Sequence, residues 1–131
     1  MKTDFDELPI AFDLTGGEAP DSPHFETLID LGPDVSPRAA VADKGDDSAA
    51  NRRIARARGA LPVIPYRRNT RTIPRVSARA LYRGRAPIEQ VVGKLKRLKR
   101  IALRCEKTRR NFASFVALAA AFILIKSVHT A

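Results

Sequence analysis

Apolar and polar positions follow a period of two in some stretches of the chain and a helical period in others. Leu8–Thr15 (Leu-Pro-Ile-Ala-Phe-Asp-Leu-Thr) partly alternates and stops at Gly16-Gly17, which predicts a strand running into a turn. Pro9 suits a strand's first position. Across His24–Leu31 the apolar residues are Phe25, Leu28, Ile29 and Leu31, and the segment lies between Pro23 and Gly32-Pro33, so a short helix is expected. Ala39–Ala42 is short and continuously apolar, as a buried strand is. Asp47 or Ser48 caps a helix over Ala49–Arg58 that ends at Gly59. Leu61–Tyr66 reads as another strand, kept at an edge by its prolines.

A basic loop, residues 67–76, separates this half from two helices. The first starts at Ser77 or Pro87 and runs to Arg104, with Ile88, Val91, Val92, Leu95, Leu98 and Ala102 on one stripe. The second, over residues 108–126, is apolar enough to be a buried C-terminal helix. Its run Phe112–Ile125 falls short of the ~20 residues that a membrane span needs. Strands alternating with helices, then two closing helices, predict an α/β fold: a small mixed sheet flanked by helices, in one domain over residues 1–131.

Charge changes this picture more than composition does. Residues 1–50 hold twelve acidic and three basic side chains, and residues 51–131 hold two and twenty-one. A basic half of this strength points to a polyanion, and its excess of arginine favours phosphate, which the guanidinium fork binds bidentately. The single cysteine, Cys105, excludes an internal disulfide and fits a reducing compartment. The acidic N-terminus lacks the apolar core of a signal peptide.

The candidate chemistry lies in three acids. Asp4 precedes the first clear strand. Asp43 follows the apolar run at Ala39–Ala42, at the strand edge where open α/β sheets bind ligands. Glu89 is one of only two acids in the basic half. On a continuous helix Tyr82, Arg85, Glu89 and Lys96 fall at roughly 0°, −60°, −20° and −40°, so one face would carry a carboxylate, two cations and a phenol. Each acid also has a plainer role: a frayed acidic terminus for Asp4, turn chemistry for Asp43, and a helix-start acid after Pro87 for Glu89.

The spacing of Tyr82, Arg85, Glu89 and Lys96 resembles the Y-(2)-R-(3)-E-(6)-K signature of bacterial insertion-sequence transposases of the DDE type. Thr3-Asp4-Phe5-Asp6-Glu7-Leu8-Pro9 is similar to that family's first motif, usually Asp-x-x-Gly-x-Pro. Asp43-Lys44-Gly45-Asp46-Asp47 is similar to its second, usually Asp-x-Gly-Tyr-Asp. The resemblance implies an RNase H-like catalytic domain that hydrolyses a phosphodiester at each transposon end and joins the freed 3′ hydroxyl to target DNA. It assigns Asp4, Asp43 and Glu89 as catalytic ligands of two Mg²⁺ or Mn²⁺ ions, and Tyr82, Arg85 and Lys96 as contacts to DNA phosphate. Arg97, Lys99 and Arg100 join them on charge. Three departures stand out: Glu7 replaces the motif glycine, Asp46 replaces the tyrosine, and only three residues precede Asp4, which implies a truncated first strand.

The expected partners are double-stranded DNA and a second copy or a full-length transposase, in the bacterial cytoplasm at the nucleoid, with no membrane. The alternative is a non-catalytic basic remnant or regulator that binds nucleic acid through Arg52–Arg110. A membrane-associated protein using Phe112–Ile125 ranks last.

Overall fold

The computed structural model describes residues 1–20, 22–70 and 86–130, which form two compact units. The first comprises Met1–Leu14 and Ala86–Ala131, the second Thr15–Arg85. Tyr82, Arg85 and most of the basic loop lie outside the described residues.

In the first unit, β1 (Lys2–Thr3) pairs antiparallel with β2 (Pro9–Ala11), with Lys2 opposite Ala11, Thr3 opposite Pro9 and an irregularity between. The strand read over Leu8–Thr15 is thus shorter, and a two-residue strand precedes Asp4.

The long helix is two helices. One, Ala86–Lys96, and another, Lys99–Ala102, are separated by Arg97 and by Leu98 in extended backbone. The break has a packing reason. A continuous helix would point Leu98 and Ala102 inward; the bend buries Ile101 instead and leaves Leu98 47% exposed. Val91, Leu95 and Ile101 meet Val116 and Ala119 of the C-terminal helix Arg109–His129, with Met1, Phe12, Phe112, Phe115 and Ile123 around them.

Thr108 caps that helix by accepting from the Asn111 N–H at 3.2 Å. The expected burial is met on one side only: Leu118, Phe122, Ile125 and Val128 are 67%, 64%, 58% and 75% exposed. The helix is apolar all round, while the unit offers core for a single stripe. At 21 residues it is also longer than the apolar run suggested and, by length and composition, sufficient to cross a membrane.

The second unit is a strand–helix–strand unit. In chain order it contains α1 (Phe25–Asp30), β3 (Ala39–Val41), α2 (Ala49–Ala57) and β4 (Leu61–Val63), so the three helices of the first unit become α3 (Ala86–Lys96), α4 (Lys99–Ala102) and α5 (Arg109–His129). β3 and β4 pair in parallel, Ala39 opposite Leu61 and Val41 opposite Val63. Parallel strands need a crossover, which α2 provides.

Leu61 N–H donates to Arg38 O at 3.0 Å and Ala42 N–H to Val63 O at 3.2 Å. By alternation Pro62 turns its imide nitrogen outward, where it cannot donate to a further strand. The expected single mixed sheet is therefore, among the described residues, two separate two-stranded sheets.

Ser48 caps α2 through Asn51 N–H at 3.0 Å. The far end closes in a Schellman arrangement, with Ala60 N–H donating to Ala55 O and Gly59 N–H to Arg56 O, both at 2.9 Å, and Gly59 at φ 74°. Phe25, Ala55, Ala60 and Ile64 form the core. Arg58 fastens α2 to α1 by bonding both oxygens of Asp30 and, at 3.0 Å, Glu26. The Asp30 and then the Glu26 hydrogen bonds raise its already high pKa.

Candidate functional site

Asp4 sits at the start of the β1–β2 turn. Its Oδ1 accepts from Asp6 N–H at 3.0 Å and Leu8 N–H at 2.8 Å, while its own N–H donates to Leu8 O at 3.1 Å. One carboxylate oxygen thus closes the turn. Glu7, where the family motif has glycine, has φ 62°. For an L-residue that left-handed backbone costs roughly 1–2 kcal/mol. Glu7 Oε2 accepts from Lys94 Nζ of α3 at 2.5 Å.

Asp43 follows β3 and uses the same device. Its Oδ1 accepts from Gly45 N–H at 2.6 Å, opening a 3₁₀ turn at Lys44–Asp46. Behind this loop stands a polar cluster that the sequence reading missed. Asp47 accepts from Arg52 at 2.8 Å, from Arg67 N–H at 2.6 Å and from the Thr70 hydroxyl at 3.1 Å. Burial pushes its carboxyl up; the hydrogen bonds from Arg52, Arg67 and Thr70 and the Arg52 charge outweigh that and hold it below its ordinary value.

Arg52 also donates to Ile64 O at 2.7 Å and stacks on Tyr66, 3.8 Å from the ring centre. Arg67 donates to the carbonyls of Lys44 and Gly45 at 3.3 and 2.7 Å, and Asn51 to Asp46 O at 3.0 Å and Ser22 O at 3.2 Å. The signal available in the sequence was Asn51 and Arg52 on the same face of α2 as buried Ala55. Of the basic segment expected to meet nucleic acid, Arg52 is therefore buried and structural.

Glu89 lies in the first turn of α3 and is exposed. Pro87 precedes it there, where a missing N–H breaks no helical bond. Glu89 and Lys96 share an exposed face, roughly 100–160° round from Val91 and Leu95. Arg97 and Lys99 are exposed at the α3–α4 break. Arg100 is held by Glu106 and lies over Phe115, 4.6 Å from the ring centre; the Glu106 hydrogen bond and charge raise its pKa further.

Asp4 and Glu89 belong to the first unit and Asp43 to the second. Among the described residues, neither unit gathers three His, Cys, Asp or Glu side chains into a metal-holding group.

Residues 1–124 match the transposase DDE domain family. The chain belongs to that family. This DDE-domain chain is also 36% identical over 123 residues to a protein of Brucella ovis named as a transposase for insertion sequence element IS6501, a match that covers 91% of this chain and 90% of the relative. No solved structure matches it. Membership in the DDE family supports the transposase reading of the sequence, and the mixed α/β architecture agrees with it.

Proposed function

We propose that the chain is an RNase H-like DNA transposase domain that hydrolyses and joins phosphodiesters in double-stranded DNA. In this reading Asp4, Asp43 and Glu89 are the ligands of two Mg²⁺ or Mn²⁺ ions. One observation carries it: Asp4 and Asp43 each follow a short strand, and each has one carboxylate oxygen pinned by the backbone N–H two residues on, at 3.0 and 2.6 Å. A carboxylate that closes its own turn in this way is held at its strand end by its own backbone. The donor chemistry fits, since Mg²⁺ takes carboxylate oxygens and keeps places for water and phosphate. When bound, two such ions supply activation of the attacking hydroxyl and charge for the leaving oxygen.

The chain's own residues then hold and orient the DNA. Lys96, Arg97, Lys99 and Arg100 bind backbone phosphate beside Glu89, and Tyr82 and Arg85 bind it near the cleaved end. The reading also places the protein in the cytoplasm, paired with a second copy or a full-length transposase.

A second reading is non-catalytic DNA binding, favoured by the charge of residues 51–131 and by the lack of a three-acid group within either unit among the described residues. Incubation with DNA carrying the ends of the element that encodes the chain separates the two. Cleavage that needs Mg²⁺ or Mn²⁺ and stops with EDTA supports the first. Tight binding without cleavage under any divalent ion supports the second.

A further inference from the structure

On the side turned away from its core stripe, α5 carries a ridge and a groove next to each other. The ridge is Leu118, Phe122 and Ile125, spaced by four and then three residues, with Val128 following, and all four are more than half exposed. With Leu118 at 0°, Phe122 and Ile125 fall at roughly 40° and −20°, while the buried Ala119 and Val116 lie at roughly 100° and 160°. The groove, of about 370 Å³, runs between β2 with Phe12 on one wall and Ala117, Ala120, Ala121 and Leu124 of α5 on the other. Three alanines keep that helix wall low. The ridge, with Val128 and Leu124, exposes apolar surface on the order of 500 Å², an extent that marks an interaction surface on a soluble chain. Two such faces together bury on the order of 1,000 Å², the lower end of specific interfaces.

Charge selects the occupant. α5 has no acid, and no charged residue lies between Arg110 and Lys126. A helix lying on a membrane surface carries cations along a polar face; α5 carries them at its ends, and its opposite side is core. A ridge beside a groove is instead the self-complementary surface that a two-fold pair requires. Parallel pairing would set Arg110 against Arg110 and Lys126 against Lys126. Antiparallel pairing about an axis near Ala121 and Phe122 sets Leu118 against the partner's Ile125 and Lys126 against the partner's Ala117. It also opposes the two helix dipoles.

We propose that two copies of this chain pair antiparallel through the outer face of α5, the ridge of each seated in the groove of the other. The inference gives the second copy of the functional reading its surface; it rests on the pairing in that reading and not on its metal ligands.

The test uses the full chain without DNA or divalent ion, so that pairing is read separately from cleavage. Sedimentation equilibrium follows association and thermal melting follows folding. Wild type is expected to pair at micromolar concentration and to melt at a higher temperature as its concentration rises. Leu118→Glu and Ile125→Arg should each weaken pairing at least tenfold, because each sets a charge against an apolar side chain. Both should melt as dilute wild type does. In the double variant the new charges meet across the two-fold axis, and pairing should return to within threefold of wild type. A wild-type chain that stays monomeric at about 100 µM, with a melting temperature independent of concentration, overturns the proposal. Single variants that pair as wild type does place the contact elsewhere and overturn it too, and a double variant that stays weak overturns the antiparallel register. A monomeric chain that floats with phosphatidylglycerol vesicles, and loses this in Leu118→Glu, gives the face to a lipid surface instead.

Discussion

Replacing Arg52 by methionine tests what holds the Asp43 loop in place. The Arg52 and Asp47 side chains are 9% and 6% exposed and meet at 2.8 Å, so their charges face each other with little water between them. Arg52→Met removes the ion pair, the 2.7 Å bond to Ile64 O and the stack on Tyr66. Taking one partner from a buried pair costs about 3–5 kcal/mol. Asp47 keeps two donors, Arg67 N–H and Thr70, which places the loss near the lower end, at about 3 kcal/mol.

Amide hydrogen exchange of Ala42 reads it out, because its N–H donates to Val63 across the β3–β4 pair. Protection there should fall roughly 100-fold if the unit opens as a whole. Arg52→Lys should recover less than half of the loss, since an ammonium cannot reproduce the fork and the stack together. A change below about tenfold in Arg52→Met would refute the argument that this cluster holds the second unit together.

Three further outcomes follow from the same contacts. Because the Asp47 carboxyl is held below its ordinary value of 3.8, its contribution to stability is full above that pH and is lost as the pH falls below it. Acid melts of wild type and Asp47→Asn should therefore converge at low pH, and parallel curves would argue against the assignment. Gly59→Ala has room for its methyl group but must hold φ 74°, so it should cost roughly 1 kcal/mol in urea denaturation. Changing Lys96, Arg97 or Lys99 to alanine should weaken DNA binding uniformly across sequences and lower the salt slope by about one per residue, measured by titration at several salt concentrations.

Much of the local structure was legible because the decisive signals are short-range. Ser48, Gly59 and the run Ala39–Ala42 placed α2 and β3 almost to the residue, and Thr108 placed the start of α5. The errors lie where tertiary packing chooses between similar patterns. The stripe through Leu98 and Ala102 is a good helical pattern, but the core accepts Ile101 instead. In α5 nearly every position is apolar, so periodicity carries no information about which side is buried. The edge position of β4 was legible from its prolines; the register adds only which way Pro62 lacks its N–H.

At the candidate site, Asp4, Asp43 and Glu89 stand out in the sequence because they lie at strand ends or alone among cations. Asp47, inside the same acidic run as Asp43, looked interchangeable with its neighbours. Its partners Arg67 and Thr70 are 20 and 23 residues away, and such long-range pairings have no local signal. In the sequence Glu7 stands out only as a departure from glycine; its contact with Lys94 spans 87 residues.

The most direct test of the transposase reading is strand cleavage of DNA carrying the element's ends, in Mg²⁺, by wild type, Asp43→Asn and Glu89→Gln, with DNA affinity and thermal melting measured on the same samples. Both variants should stay folded, bind the DNA as wild type does and lose cleavage at least 100-fold, as expected when a metal ligand is removed. Cleavage at the wild-type rate by either variant would contradict the assignment of Asp43 and Glu89 as metal ligands.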